Sequence, residues 1–257
     1  MRRSITKSLL PAFLLTLGSL ALIPSCADNN SSMFIVGVIS IDASTCVAKP
    51  DNTAVMLAEG IMDTAFTSSY TAFLLVGNQL TNRGSREQLR TETSRVVLRG
   101  AEVTLTTLDG KTLGDYSTVG TGFVDASASD VPAYAAVSIN VIPSALGSNA
   151  AVLNAGTVLA KIRVFGDTLG NTAVTSSELD FPIRICEGCL VTYPASAADM
   201  TQPPGMYLCT TAASATDTTE AAPCIVGQDK SFPCTACSAS ITLCRDPNLN
   251  PSYSPTP

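Results

Sequence analysis

Between residues 33 and 185, hydrophobic and polar side chains alternate with a period of two, which is typical of β-strands with one buried face. The clearest segment covers residues 177–185, where Leu179, Phe181 and Ile183 are separated by polar residues or proline. Similar alternation predicts further strands at residues 34–42, 54–63, 70–80, 95–107, 116–124, 135–142 and 158–165. About eight strands with no strong helical period between them favour an all-β fold.

Three residue types refine this prediction. Gly100 stands where the alternation of residues 95–107 changes phase, which predicts a β-bulge. Asp109 and Gly110 follow that strand and predict a tight turn. Pro182 lacks a backbone N–H and predicts an edge strand. We therefore expect an antiparallel β-sandwich of immunoglobulin-like size over residues 33–185.

The beginning of the chain has the pattern of an export signal. Arg2, Arg3 and Lys7 form a positive region, and a mainly apolar run of about 15 residues follows at 9–23. This run is too short to cross a hydrocarbon core of about 30 Å comfortably as a helix. Residues 1–25 are therefore interpreted as a signal peptide that is removed in the mature protein.

The signal sequence ends at residues 22–26 with Leu-Ile-Pro-Ser-Cys, which resembles the lipobox of bacterial lipoprotein precursors. The resemblance implies cleavage before Cys26, acylation of its thiol and amino group, and membrane attachment through these chains. Residues 26–32 would form a tether, and Ala27 after the lipidated cysteine favours the outer membrane. The alternative is ordinary secretion, because Ser25-Cys26-Ala27 also fits a small-x-small cleavage site.

A cysteine-rich module is predicted at residues 186–246, followed by a disordered proline-containing tail at 247–257. Seven of the nine cysteines lie in this module: Cys186, Cys189, Cys209, Cys224, Cys234, Cys237 and Cys244. The module has few large apolar residues, so we expect disulfides to stabilise it after export. If Cys26 is lipidated and all other thiols pair within the chain, Cys46 must bond to one of these seven.

Two CxxC pairs, Cys186 with Cys189 and Cys234 with Cys237, allow other interpretations. Four thiolates could bind zinc, and a CxxC pair could be a redox site. Export to an oxidising compartment favours disulfides over both, so we expect no cofactor and no metal.

Composition limits the function further. The chain has no His, so a Ser-His-Asp relay or a His-ligated zinc ion cannot form within it. The first 25 residues contain three of the 15 basic residues and none of the 21 acidic ones, so the formal charge of −6 becomes −9 without them. A chain this acidic is a poor partner for nucleic acid.

We therefore expect a lipid-anchored protein of the cell envelope with a non-catalytic structural or binding role, attached to the outer membrane and able to contact an envelope protein. The layout resembles uncharacterised cysteine-rich envelope lipoproteins. The alternatives are an envelope enzyme that uses carboxylates or a CxxC thiol pair, and a secreted soluble binding module. A pocket lined by convergent carboxylates would favour the enzyme.

Overall fold

The computed structural model describes residues 32–85, 87–128, 131–192 and 223–233. The described residues form two main β-sheets and one short strand pair. The strands are β1 (Met33–Ile39), β2 (Met56–Leu57), β3 (Gly60–Asp63), β4 (Tyr70–Asn78), β5 (Val96–Thr107), β6 (Thr112–Val124), β7 (Ala133–Ile142), β8 (Thr157–Thr168), β9 (Ala173–Thr175), β10 (Leu179–Cys186), β11 (Val191–Thr192) and β12 (Phe232–Pro233). Two single-turn helices, α1 (Ser144–Gly147) and α2 (Ala150–Leu153), connect β7 to β8.

The first sheet has the strand order β2-β1-β4-β7, and the second has the order β3-β10-β8-β5-β6 with β9 also paired to β8. The short strands β11 and β12 form a separate parallel pair. Buried side chains of both sheets form one hydrophobic core, represented by Leu74, Val103, Ile139, Ile162 and Ile183, which are all at most 1% exposed. Burial of each such side chain stabilises the fold by about 1.5–3 kcal/mol.

The structure confirms the predicted all-β fold and refines its details. The pairing of β5 with both neighbours shifts register between Leu98 and Gly100, which places the predicted bulge at Gly100. A Cβ on Gly100 would meet the carbonyl oxygen of Thr118 at less than the closest distance that real Cβ atoms show, so this position requires glycine. Strand β6 has mostly exposed side chains because it lies at the edge of its sheet.

One expectation about strand β10 is wrong. The strand is not at an edge, because it lies between β3 and β8. Pro182 is tolerated there because the pairing with β3 begins only at Ile183. The sandwich is also not wholly antiparallel, since β10 and β3 run parallel and Cys186 is in register with Asp63.

Asn78 is a fully buried polar residue at the end of β4. Its amide nitrogen donates to the carbonyl oxygens of Ser94 at 3.0 Å and Asp125 at 2.9 Å, and its side-chain oxygen accepts from the N–H of Leu80 at 3.0 Å. The amide therefore satisfies backbone groups of three segments that meet at this end of the sandwich.

Candidate functional site at the junction of the sandwich and residues 223–233

Residues 223–233, here called the C-terminal segment, are bound to the sandwich by a disulfide and by buried polar contacts. The disulfide joins Cys224 to Cys46, with a Cα–Cα distance of 5.4 Å. Cys46 lies in a tight turn with a positive φ of 54°, and its N–H donates to the carbonyl oxygen of Asp42 at 2.8 Å. This turn positions Cys46 beside Cys224 of the C-terminal segment.

The Asp42 side chain organises the same turn. Its Oδ1 accepts hydrogen bonds from the hydroxyl and backbone N–H groups of Ser44 and Thr45, at 2.6–3.0 Å. These bonds, with the Ser44 hydroxyl contributing most, hold the pKa of the Asp42 carboxyl well below its usual range. A charged carboxylate therefore closes the turn at neutral pH.

Asp229 is the second attachment point. Its carboxylate accepts from the Tyr70 hydroxyl at 3.0 Å and from the N–H of Ile61 at 2.8 Å, while its own N–H donates to the carbonyl oxygen of Ile61 at 3.1 Å. Burial raises the pKa of the Asp229 carboxyl, against the opposing effect of these hydrogen bonds. Burial, and then the nearby Asp229 charge, raise the pKa of Tyr70, which keeps the phenol protonated as a donor.

Gln228 and Phe232 extend the attachment in both directions. The Gln228 side chain is buried, and it accepts from the N–H of Thr71 at 3.2 Å and donates to the carbonyl of the same residue at 3.1 Å. The Phe232 ring packs on Phe66 with a centroid distance of 5.3 Å. The C-terminal segment is therefore fixed along its length, and not only at Cys224.

A cavity of about 290 Å³, here called the groove, opens between the C-terminal segment and strands β1 and β4. Its apolar lining consists of Val38, Ile39, Ile41, Ala43, Phe73, Pro223 and Ile225. Cys224 also lines it, so the disulfide holds one wall against the other. Among the described lining residues, Asp229 has the one carboxylate, and this carboxylate accepts a hydrogen bond from the Tyr70 hydroxyl.

The CxxC pair at the end of β10 forms a second cluster, with a disulfide between Cys186 and Cys189. Asp63, fully buried at the end of β3, contacts the loop between them. Its Oδ1 accepts from the N–H of Gly188 at 2.6 Å, and its Oδ2 accepts from the N–H of Leu190 at 2.8 Å. One Asp63 oxygen and both sulfur atoms lie within 4.8 Å of one another.

A group of charged side chains lies on the outer face of the second sheet. Lys161 contacts Glu178 and Asp180 at 3.1 Å, and Arg163 contacts Glu178 at 3.4 Å. These side chains are exposed, so solvent screens their ion pairs and the pairs contribute little to stability. The charges balance locally and do not form a field of one sign.

Of the sequence-predicted site residues, the structure pairs Cys46 with Cys224 and Cys186 with Cys189. Cys26, Cys209, Cys234, Cys237 and Cys244 lie outside the described residues. No pattern in the sequence singles out Asp63 or Asp229, because each accepts hydrogen bonds from residues more than 120 positions away. A single acid without a neighbouring motif carries no local pattern that would reveal such a contact.

A comparison with protein-family models and a search of curated proteins found no match for this chain. The helices in the described part of the chain do not include a candidate membrane-spanning segment.

Proposed function

We propose that the protein is a lipid-anchored component of the cell envelope with a non-catalytic binding role, and that the groove is its binding site. The sequence at residues 22–26, which resembles a lipobox, supports the anchor at Cys26, and Ala27 after it supports attachment to the outer membrane. The groove at the C-terminal segment supports the binding role.

The groove has the chemistry of a recognition pocket. Its lining is mainly aliphatic and aromatic, and its polar residues include Ser40, Thr71 and Lys230. A volume of about 290 Å³ is at the lower end of the range for small-molecule sites. It suits one or two apolar side chains from a protein partner, which is how anchor residues fill pockets at protein interfaces.

The same groove argues against an enzyme that works with paired carboxylates. General acid–base catalysis of that kind needs two carboxyl groups that converge on the substrate. Asp229 has no second carboxylate beside it among the described groove residues, and its oxygens are occupied by Tyr70 and Ile61. A binding surface is the simpler use of this arrangement.

Titration with the blocked amino acids N-acetyl-leucinamide and N-acetyl-phenylalaninamide, followed by methyl NMR, tests the binding role of the groove. We expect shift changes at the methyl groups of Ile41 and Ile225 that saturate at millimolar concentration. Ile41→Lys should abolish the change at Ile225, because it places a charge in the groove. Val119→Lys is the matched control, since Val119 is 76% exposed on β6 in the other sheet. Shift changes scattered over the surface, or unchanged by Ile41→Lys, would exclude the groove as the site.

A further inference from the structure

We propose that Asp63, Cys186 and Cys189 form a binding site for a thiophilic divalent metal ion, of the zinc type, when the Cys186–Cys189 disulfide is reduced. The oxidised chain would not bind the ion there. This inference does not depend on the groove or on the lipid anchor.

The backbone holds the three side chains together without help from the disulfide. Asp63 and Cys186 end the parallel strands β3 and β10 in register, and the Thr64 N–H donates to the carbonyl oxygen of Cys186 at 2.7 Å. The Asp63 carboxylate binds N–H groups on both sides of Cys189, namely those of Gly188 and Leu190. Breaking the sulfur–sulfur bond therefore leaves the loop attached to β3.

The distances suit tetrahedral zinc. Bonds of about 2.3 Å to sulfur and about 2.0 Å to a carboxylate oxygen place neighbouring ligand atoms roughly 3.5–3.8 Å apart. The Asp63 oxygen and the two sulfurs already lie within 4.8 Å. Breaking the sulfur–sulfur bond frees both thiols to rotate toward the required spacing.

Charge favours a cation once the two released thiols give up their protons. Two thiolates beside a fully buried carboxylate would place three negative charges in a small volume, which is unfavourable without a counter-ion. A divalent ion removes most of this repulsion. The N–H groups of Gly188 and Leu190 that bind Asp63 would then orient its carboxylate as a ligand, as hydrogen bonds to ligating carboxylates commonly do at metal sites.

The reaction balances with a dithiol as reductant. The dithiol transfers two electrons to the Cys186–Cys189 bond and is itself oxidised to a disulfide, while its two protons pass to the cysteine thiols. Metal binding then releases these two protons as the thiolates form bonds to the ion. Because both cysteines are partly exposed, a small dithiol can reach them.

The experiment uses the full mature chain, reduced with dithiothreitol, freed of excess reductant under anaerobic conditions and incubated with or without Zn²⁺. Alkylation with iodoacetamide followed by peptide mass spectrometry measures the reaction rate of each cysteine separately. We expect Zn²⁺ to slow alkylation of Cys186 and Cys189 at least tenfold, and to leave Cys46 unchanged. Equal rates with and without Zn²⁺ at Cys186 and Cys189 would overturn the proposal.

The variant Asp63→Asn tests the third ligand, with Glu187→Gln as a matched control because Glu187 is an exposed acid in the same loop. We expect Asp63→Asn to remove most of the protection and Glu187→Gln to retain it. Full protection in Asp63→Asn would show that Asp63 is not a ligand. If Asp63→Asn does not fold, Co²⁺ added to the reduced wild type decides, because tetrahedral binding gives a strong visible absorption that Cys186→Ser must abolish. A spectrum that Cys186→Ser leaves intact would overturn the site.

Discussion

Replacing both cysteines of the Cys46–Cys224 bridge with serine should lower the free energy of unfolding by about 5 kcal/mol. The bridge spans a sequence separation of 178 residues, and closing a loop of that length removes a large amount of entropy from the unfolded chain. For a domain of this size, a loss of about 5 kcal/mol corresponds to a decrease in Tm of roughly 10–20 °C.

The double variant Cys186→Ser/Cys189→Ser is the matched control. That bridge has a sequence separation of 3, so the same relation gives a loss of only about 2 kcal/mol. Both variants lose two sulfur atoms and gain two hydroxyl groups, so the difference between them mainly reports the length of the closed loop.

Chemical denaturation, monitored by far-ultraviolet circular dichroism under non-reducing conditions, measures both free energies. The reasoning predicts that the Cys46/Cys224 variant unfolds at clearly lower denaturant concentration than the Cys186/Cys189 variant. If the two variants are equally stable, or their order is reversed, the Cys46–Cys224 bridge is not the main covalent constraint on the sandwich.

Three further predictions concern the contacts that position the site. The raised pKa of Asp229 means that its protonated form favours the folded state. Its stabilising effect is therefore complete at low pH and is lost as pH rises through the folded pKa. Denaturation of the wild type and of Asp229→Asn between pH 3 and 7 should show the wild type losing stability relative to the variant as pH increases. Gly60→Ala should cost about 1–3 kcal/mol in thermal unfolding, because a Cβ there would overlap the Tyr70 side chain, and a loss below 0.5 kcal/mol would contradict this. Asn78→Ala should cost about 2–4 kcal/mol, since it leaves buried backbone groups without partners, and unchanged stability would show that water replaces the amide.

The sequence predicted the parts of the fold that depend on local pattern. Strand β10 was recognised because Phe181 and Ile183 face the core while the residues between them do not. The bulge at Gly100 was recognised because a phase change within one strand is visible along the chain. In both cases the information lies within a few neighbouring residues.

The remaining features depend on pairings between distant residues. Nothing near Asp63 or Cys186 in the sequence indicates that β3 and β10 run parallel and bring these two residues into register. The groove likewise arises only when residues 223–231 pack against β1 and β4. The odd number of C-terminal cysteines indicated a bond from Cys46 to that region, but counting could not select Cys224.

The most direct test of the proposed function is the intact mass of the mature protein extracted from cell membranes, alkylated before and after reduction. The account predicts a chain that starts at Cys26 and carries acyl groups, with no alkylation until the disulfides are reduced. A lipid-free chain that starts beyond Cys26, or one with thiols that react before reduction, would contradict an anchored and fully disulfide-bonded envelope protein.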